Sequence, residues 1–84
     1  MNARDNITLA VLTPQGTLFE GLVEKVDLPG GMGRFMVLRN HAPIISSLVQ
    51  GEVVFYAGGN EEKVRILGGF VEVNDNKVTV CAEV

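Results

Sequence analysis

Residues that build chemical sites are scarce in this sequence. Its 84 residues include no Trp, one Tyr, one Cys and one His. A single cysteine, Cys81, cannot form an internal disulfide, and a single histidine, His41, cannot supply a His-rich metal site. Cys81 is therefore expected to be a small apolar strand residue in a protein of a reducing compartment. The composition predicts neither a metal nor another cofactor.

An excess of positive charge and long apolar runs are also lacking. The formal net charge is −3 and the isoelectric point is about 4.9, so no basic field is available to bind nucleic acid or an anionic membrane surface. No apolar run reaches the roughly 20 residues that cross a bilayer, and residues 1–6 lack the apolar stretch of a signal peptide. We expect no nucleic-acid partner, and membrane association only through other proteins.

The residues that are present suit one folded domain, residues 1–84. Hydrophobic residues make up 46% of the sequence and charged residues 20%, as in folded soluble domains. A chain of this size buries only about 60% of its unfolded surface. A partner protein is therefore expected to add to its stability.

The apolar residues follow the pattern of short β-strands. Val, Ile, Leu and Phe recur with a period of two between breaks made of Gly, Pro, Asn and Asp. In the last two strands, Val71 and Val73 precede the turn 74–76, Val78 and Val80 follow it, and all four are predicted to face the core. Because parallel strands need crossovers of a dozen or more residues, closely spaced strands predict an antiparallel sandwich or flattened barrel.

Glycine-rich stretches predict where the chain turns. Gly58-Gly59-Asn60 supplies positive φ angles for a hairpin, and residues 29–33, Pro-Gly-Gly-Met-Gly, predict an exposed loop because they disrupt helices and central strands. Residues 41–50 are ambiguous, since their apolar side chains suit a short helix that starts after Pro43 as well as a strand.

No arrangement of residues predicts catalysis. Gly31-Met32-Gly33 lacks the third glycine and the following helix of a dinucleotide-binding motif, and the glutamates mostly occupy polar turns or solvent-facing positions. Ser46-Ser47 has no histidine and acid at a recognisable spacing. His41 is expected to be held by hydrogen bonds against the domain or at an interface, with a pH-sensing or catalytic role as the alternative.

Exposed apolar side chains are the more informative feature. Met32, at the tip of its glycine loop, is expected to contact a partner through a flexible, polarizable side chain. Phe35 and Met36 either extend this surface or belong to the core.

Several motifs follow one another in a fixed order. They are Thr13-Pro14-Gln15-Gly16-Thr17-Leu18-Phe19-Glu20-Gly21, Leu28-Pro29-Gly30, His41-Ala42-Pro43-Ile44, Gly68-Gly69-Phe70-Val71-Glu72-Val73 and Asn76-Lys77-Val78-Thr79-Val80. Each is weak alone. Their order and spacing resemble the amino-terminal domain of the epsilon subunit of F-type ATP synthases over nearly the whole chain.

The resemblance implies an all-β fold, a flattened antiparallel β-sandwich of about ten short strands, with residues 41–50 extended. It implies a non-catalytic central-stalk subunit that couples the gamma subunit to the membrane-embedded c-ring in ATP synthesis driven by protons or sodium ions. The complex would lie at the cytoplasmic face of the bacterial plasma membrane. Carried over by position, the residues facing the c-ring would be Gly30, Gly31, Met32, Gly33 and Arg34, and those contacting gamma would be His41, Ala42 and Pro43.

The sequence departs from the family pattern in three places. Arg34 stands where glutamate is usual, which reverses a charge expected to pair with the c-ring. Met36 and Arg39-Asn40 stand where glycine and proline–glycine are usual, so we expect a different backbone path before His41. The sequence stops at Val84, where relatives continue into a helical hairpin that blocks rotation or binds ATP. We therefore expect neither self-inhibition nor ATP sensing.

Two other classes of protein stay open on the residues alone. A free-standing β-sandwich that binds a sugar or peptide would need several aromatic side chains around a cleft. A small cupin-like metalloenzyme would need more metal ligands than one histidine.

Overall fold

Nine β-strands make up the fold in the computed structural model, which describes residues 6–84. About ten strands were expected. None of the described residues forms a helix with the length and apolarity that a bilayer crossing requires. The strands are β1 (Ile7–Thr13), β2 (Gly16–Val23), β3 (Lys25–Gly30), β4 (Gly33–Val37), β5 (Ile44–Leu48), β6 (Gly51–Ala57), β7 (Asn60–Ile66), β8 (Gly68–Asn74) and β9 (Lys77–Glu83).

The strands form one continuous sheet that curls into a sandwich. Their order is β2-β1-β9-β8-β5-β3-β6-β7, and β4 pairs with the remaining edge of β3. The link between β5 and β3 is a single residue pair, Gly30 and Leu48, so the sheet bends there. The first layer is β2-β1-β9-β8-β5 and the second is β4-β3-β6-β7. Phe19 of β2 and Phe55 of β6, with ring centroids 4.4 Å apart, close the other side.

The predicted all-β sandwich is confirmed, with one parallel pair that the sequence did not predict. Strand β1 runs parallel to β9, with Thr8–Leu12 opposite Lys77–Cys81, and every other pair is antiparallel. Close spacing along the chain excludes parallel pairing only between consecutive strands. All the other strands lie between β1 and β9, a connection far longer than a parallel crossover requires.

Inward-facing aliphatic side chains from both layers fill the core. The predicted inward valines of the last hairpin, Val71, Val73, Val78 and Val80, are all at most 1% exposed. Each buried side chain of this size contributes about 1.5–3 kcal/mol relative to an exposed one. The described residues place no polar or charged side chain in the core. The other members of the core are Ile7, Leu9, Val11, Val23, Val26, Leu28, Val37, Leu48, Val53, Phe55, Ile66 and Ala82.

The prediction of an exposed loop over residues 29–33 is wrong for its first two residues. Strand β3 continues through Pro29 and Gly30, both of which are buried. Proline is tolerated because the neighbouring strand changes at this point. Along this edge of β3, pairing with β6 ends at Asp27, and pairing with β5 begins at Gly30. An N–H group at position 29 would point into the gap between these two partner strands, so its absence in proline breaks no strand pairing. The Pro29 carbonyl points the same way and accepts a hydrogen bond from Val49 N at 2.9 Å. Gly33 is exposed as predicted but already belongs to β4, so only Gly31 and Met32 remain as the turn.

The two predicted tight hairpins are confirmed by backbone angles. Gly58 and Gly59 have φ values of 58° and 80°, and Asp75 and Asn76 have values of 51° and 59°. Two successive positive φ angles define the type I′ turns that match the twist of adjacent strands.

The central part of the ambiguous segment 41–50 is a strand, β5, and residues 41–43 are an irregular loop before it. Residues 44–48 pair with β8 from Val73 to Gly69. Leu48 lies in the core, whereas Ile45 is 76% exposed. Ile45 and Leu48 would share one face of a helix, but they lie on opposite sides of the strand.

Gly69 offers a test of the packing between β8 and β9. A Cβ atom there would collide with the backbone carbonyl of Cys81, and φ is +144°. We expect Gly69→Ala to lower the free energy of unfolding by about 3 kcal/mol, through overpacking and backbone strain. The matched control is Gly68→Ala, whose new Cβ would meet only the Leu48 carbonyl at 3.6 Å. Equal urea midpoints of unfolding for the two variants would contradict the steric clash expected at position 69.

Candidate functional site

The two segments predicted to contact partners lie at opposite ends of the sandwich. The turn Gly31–Met32 immediately precedes β4, and residues 38–43 immediately follow it. Five residues of extended chain span about 17 Å. We call residues 38–43 the His41 loop, and Gly31, Met32, Val49 and Leu67 the Met32 end.

The residues predicted to face the c-ring separate into exposed and buried positions. Met32 protrudes completely, with a relative exposure of 103%, and Gly31 and Gly33 beside it are exposed. Gly30, in contrast, is buried inside β3. A Cβ at Gly30 would lie 2.9 Å from the Phe35 ring, so a residue without a side chain is needed for close packing at this position. Phe35 packs against the core, whereas Met36 is 42% exposed.

Arg34 lies within β4 and directs its guanidinium back onto the sandwich. Its Nη2 donates to the backbone oxygen of Glu52 at 2.7 Å and to that of Asp27 at 3.3 Å, and its Nε donates to Asp27 Oδ1 at 3.2 Å. The Arg34 side chain is 45% exposed, so the ion pair itself contributes at most about 1 kcal/mol. Arg34 therefore connects β4, β3 and β6, and part of its charge is neutralised within the domain.

The sequence did not predict that two further apolar residues at the Met32 end are exposed. Val49 is 48% exposed and Leu67 is 59% exposed. They lie at the same end as Met32 because Leu48 pairs with both Gly30 and Gly69. The available signal was strand alternation: Leu67 follows the buried Ile66, and Val49 follows the buried Leu48.

The His41 loop begins with a tight turn. His41 N donates to Leu38 O at 3.2 Å, and Asn40 has a φ of 66°. Positive φ at the third turn position alone is typical of a type II turn, where glycine or asparagine is favoured. The expected change of backbone path is therefore not required, since Asn40 adopts a conformation that a glycine would also adopt.

The predicted gamma-facing residues offer an accessible surface. Ala42 and Pro43 are exposed and His41 is half-buried. His41 Nδ1 donates to the Ala42 carbonyl at 2.7 Å, which holds the ring against its own backbone. Leu38 and Ile45, at 52% and 76% exposure, flank this segment with apolar surface.

The outer face of the second layer carries a network of charged and aromatic side chains. Lys25 Nζ lies 4.4 Å from the centroid of the Tyr56 ring, and Tyr56 Oη donates to Glu61 Oε1 at 2.9 Å. This hydrogen bond, with a smaller contribution from desolvation, raises the pKa of Tyr56 above its usual value. Lys63 Nζ lies 3.6 Å from Glu61 Oε2. Among residues 6–84, no group of three or more His, Cys, Asp or Glu side chains could hold a metal ion.

The outer face of the first layer carries a small apolar strip that the sequence did not single out. Leu12, Phe70 and Cys81 lie side by side on β1, β8 and β9, because Cys81 pairs with both other residues. Phe70 is 51% exposed. The outward position of Phe70 could have been predicted from strand alternation, because Val71 and Val73 of β8 face inward.

Known proteins resemble this chain in both sequence and fold. The family model described as ATP synthase, Delta/Epsilon chain, beta-sandwich domain matches residues 6–84. The ATP synthase epsilon chain of Desulfitobacterium hafniense (strain DSM 10664 / DCB-2) is 47% identical over 76 residues, which cover 90% of this chain and 58% of the relative. That of Rhodopseudomonas palustris (strain BisB18) is 42% identical over 74 residues, which cover 88% of this chain and 55% of the relative. The chain thus spans a little over half the length of these curated relatives.

Solved structures share the fold. A chain of the Euglena gracilis mitochondrial ATP synthase, OSCP/F1/c-ring in rotational state 1, matches with a TM-score of 0.87 at 25% identity, over 98% of this chain and 53% of that one. A chain of the Tetrahymena thermophila mitochondrial ATP synthase, central stalk and c-ring, matches with a TM-score of 0.76 at 12% identity, over 92% and 63%. The second likeness concerns the fold alone. From the family match over residues 6–84, the chain belongs to the ATP synthase delta/epsilon chain family and forms its β-sandwich domain.

Proposed function

We propose that this chain is a non-catalytic central-stalk component of an F-type ATP synthase, which couples the gamma subunit to the c-ring. The observation that carries the proposal is the presence of two accessible surfaces at opposite ends of one rigid sandwich, in a chain of this family. The Met32 end would face the c-ring and the His41 loop would face gamma. Association with the cytoplasmic face of a bacterial plasma membrane would then be peripheral and made through these partners.

The mechanism is mechanical. A coupling element must transmit torque without slipping or shearing, and this requires stiffness between its two attachment surfaces. β4 connects the Met32 end directly to the His41 loop, and it is hydrogen-bonded to β3 along its whole length. The close-packed aliphatic core resists deformation of the layers against each other. No reactive side chain is needed for this role.

Both surfaces present exposed apolar side chains that a partner would cover. The Met32 end presents separate apolar side chains on short turns, with Arg34 behind them held by Asp27. The His41 loop presents exposed Ala42 and Pro43 beside Leu38 and Ile45. Apolar residues surrounded by polar ones are typical of protein interfaces.

The proposal is tested first at Met32. We expect Met32→Ser to weaken retention of the subunit on c-ring in the presence of gamma by about tenfold, because a fully exposed apolar anchor is lost. Thermal stability should not change, since Met32 makes no core contact. The control is Leu22→Ser, also an exposed apolar residue, at 57%, which lies on the edge strand β2, four strands from β5 in the sheet order, and belongs to neither proposed surface. Equal retention of wild type and Met32→Ser would remove Met32 from the ring contact.

Arg34 connects the charge of the Met32 end to its structure. In Arg34→Glu, the new carboxylate faces Asp27 and the two backbone carbonyls that Arg34 now binds. We expect a stability loss of about 1–2 kcal/mol in a domain that still folds, and a changed salt dependence of c-ring attachment. Arg34→Gln removes the guanidinium and its hydrogen bonds without adding a negative charge. Comparing it with Arg34→Glu therefore distinguishes the loss of these hydrogen bonds from the reversal of charge. If attachment of all three proteins responds identically across a salt series, Arg34 does not contribute to the contact electrostatically.

His41 tests the other surface. The Nδ1 hydrogen bond to Ala42 is local and exposed, so His41→Ala should cost less than about 1 kcal/mol of stability. We expect a larger effect on gamma, with affinity about tenfold lower. Titration calorimetry with gamma and thermal unfolding of the free subunit measure the two effects. The opposite ranking would make His41 a structural residue of the fold rather than a binding residue.

A further inference from the structure

We propose that Asn76, in the turn between β8 and β9, is a positioning residue for gamma binding that acts through the His41 loop. The inference rests on the proposed function, because it assumes that the His41 loop contacts gamma. Asn76 is 36 residues from Asn40 along the chain, yet its Oδ1 accepts a hydrogen bond from Asn40 N at 2.6 Å. A weaker contact runs in the other direction, from Asn76 Nδ2 to Asn40 Oδ1 at 3.5 Å.

The hydrogen bond acts on the peptide group that defines the turn type. In type I and type II turns, the central peptide points in opposite directions, and only type II places the third residue at positive φ. The N–H of this peptide belongs to Asn40, whose φ is 66°. A flip to type I would turn the N–H away from Asn76 Oδ1. Asn76 therefore selects one of two local conformations of the segment that leads into His41.

Asn76 is itself firmly held, which makes it an effective support. Its φ of 59° belongs to the type I′ turn between β8 and β9, and its backbone oxygen accepts a hydrogen bond from Thr8 N at 3.0 Å. The residue thus lies at a corner shared by β1, β8 and β9. A second hydrogen bond, from Arg39 Nη1 to Asn6 O at 2.8 Å, attaches the same loop to the start of β1.

The expected benefit is preorganisation. Ala42 and Pro43 are exposed, and the loop that carries them has no regular secondary structure of its own. A loop that samples two turn types must be ordered when a partner binds, and this ordering lowers affinity. By holding the Asn40 peptide in one orientation, Asn76 reduces that cost without requiring contact with gamma.

Three substitutions separate this role from general effects on the turn. Asn76→Gly keeps positive φ accessible and removes the acceptor. Asn76→Asp keeps an acceptor oxygen and still tolerates positive φ. Asp75→Gly is the matched control, because Asp75 occupies the other central position of the same turn at a φ of 51°.

The experiment measures gamma affinity and the hydrogen exchange of the Asn40 amide in the free subunit. We expect Asn76→Gly to lower affinity about tenfold and to accelerate Asn40 exchange. Asn76→Asp should stay within about twofold of wild type in affinity, and Asp75→Gly should match wild type in both measurements. Faster Asn40 exchange in Asn76→Gly with unchanged gamma affinity would overturn the positioning role while leaving the proposed function intact. Failure of the wild-type subunit to bind gamma would overturn both.

Discussion

The fold depends on the close approach of strands at the corner where its two layers meet. There, Leu48 of β5 pairs on one side with Gly30 of β3 and on the other with Gly69 of β8. Neither glycine has room for a side chain, because a Cβ at Gly30 would meet the Phe35 ring and one at Gly69 would meet the Cys81 carbonyl. The two glycines allow one sheet to bend into a sandwich while its hydrogen bonding stays continuous.

The same corner determines where the exposed residues lie. Met32 and Val49 follow the paired residues Gly30 and Leu48 within two positions, so the corner gathers them at one end. β4 and β5 run between that end and the His41 loop. A partner at either end therefore acts on strands that belong to both layers, which suits an element that transmits force. Charges contribute locally, as in the contact of Arg34 with Asp27, and the stiffness comes from packing and backbone pairing.

The sequence predicts some residues of the contact surfaces but not others. Exposure of Met32 follows from its place between glycines, and exposure of Ala42 and Pro43 agrees with a loop between strands. Burial of Gly30 does not follow, because breakers normally indicate a surface loop and only the change of partner strand from β6 to β5 accommodates Pro29. The position of the Arg34 guanidinium across the surface of the sandwich depends on Asp27 and Glu52, which different strands bring to it.

The sequence alone determined the features that arise from neighbouring residues. Alternating valines established which side of β8 and β9 is buried, and Gly58-Gly59 and Asp75-Asn76 established tight hairpins, because these preferences depend on side-chain period and local φ angles. Only the tertiary structure decided the parallel pairing of β1 with β9, the strand conformation of residues 44–48 and the hydrogen bond from Asn40 to Asn76. Each joins segments far apart in the chain, and the free energy that selects such contacts comes from packing the whole core rather than from any local pattern.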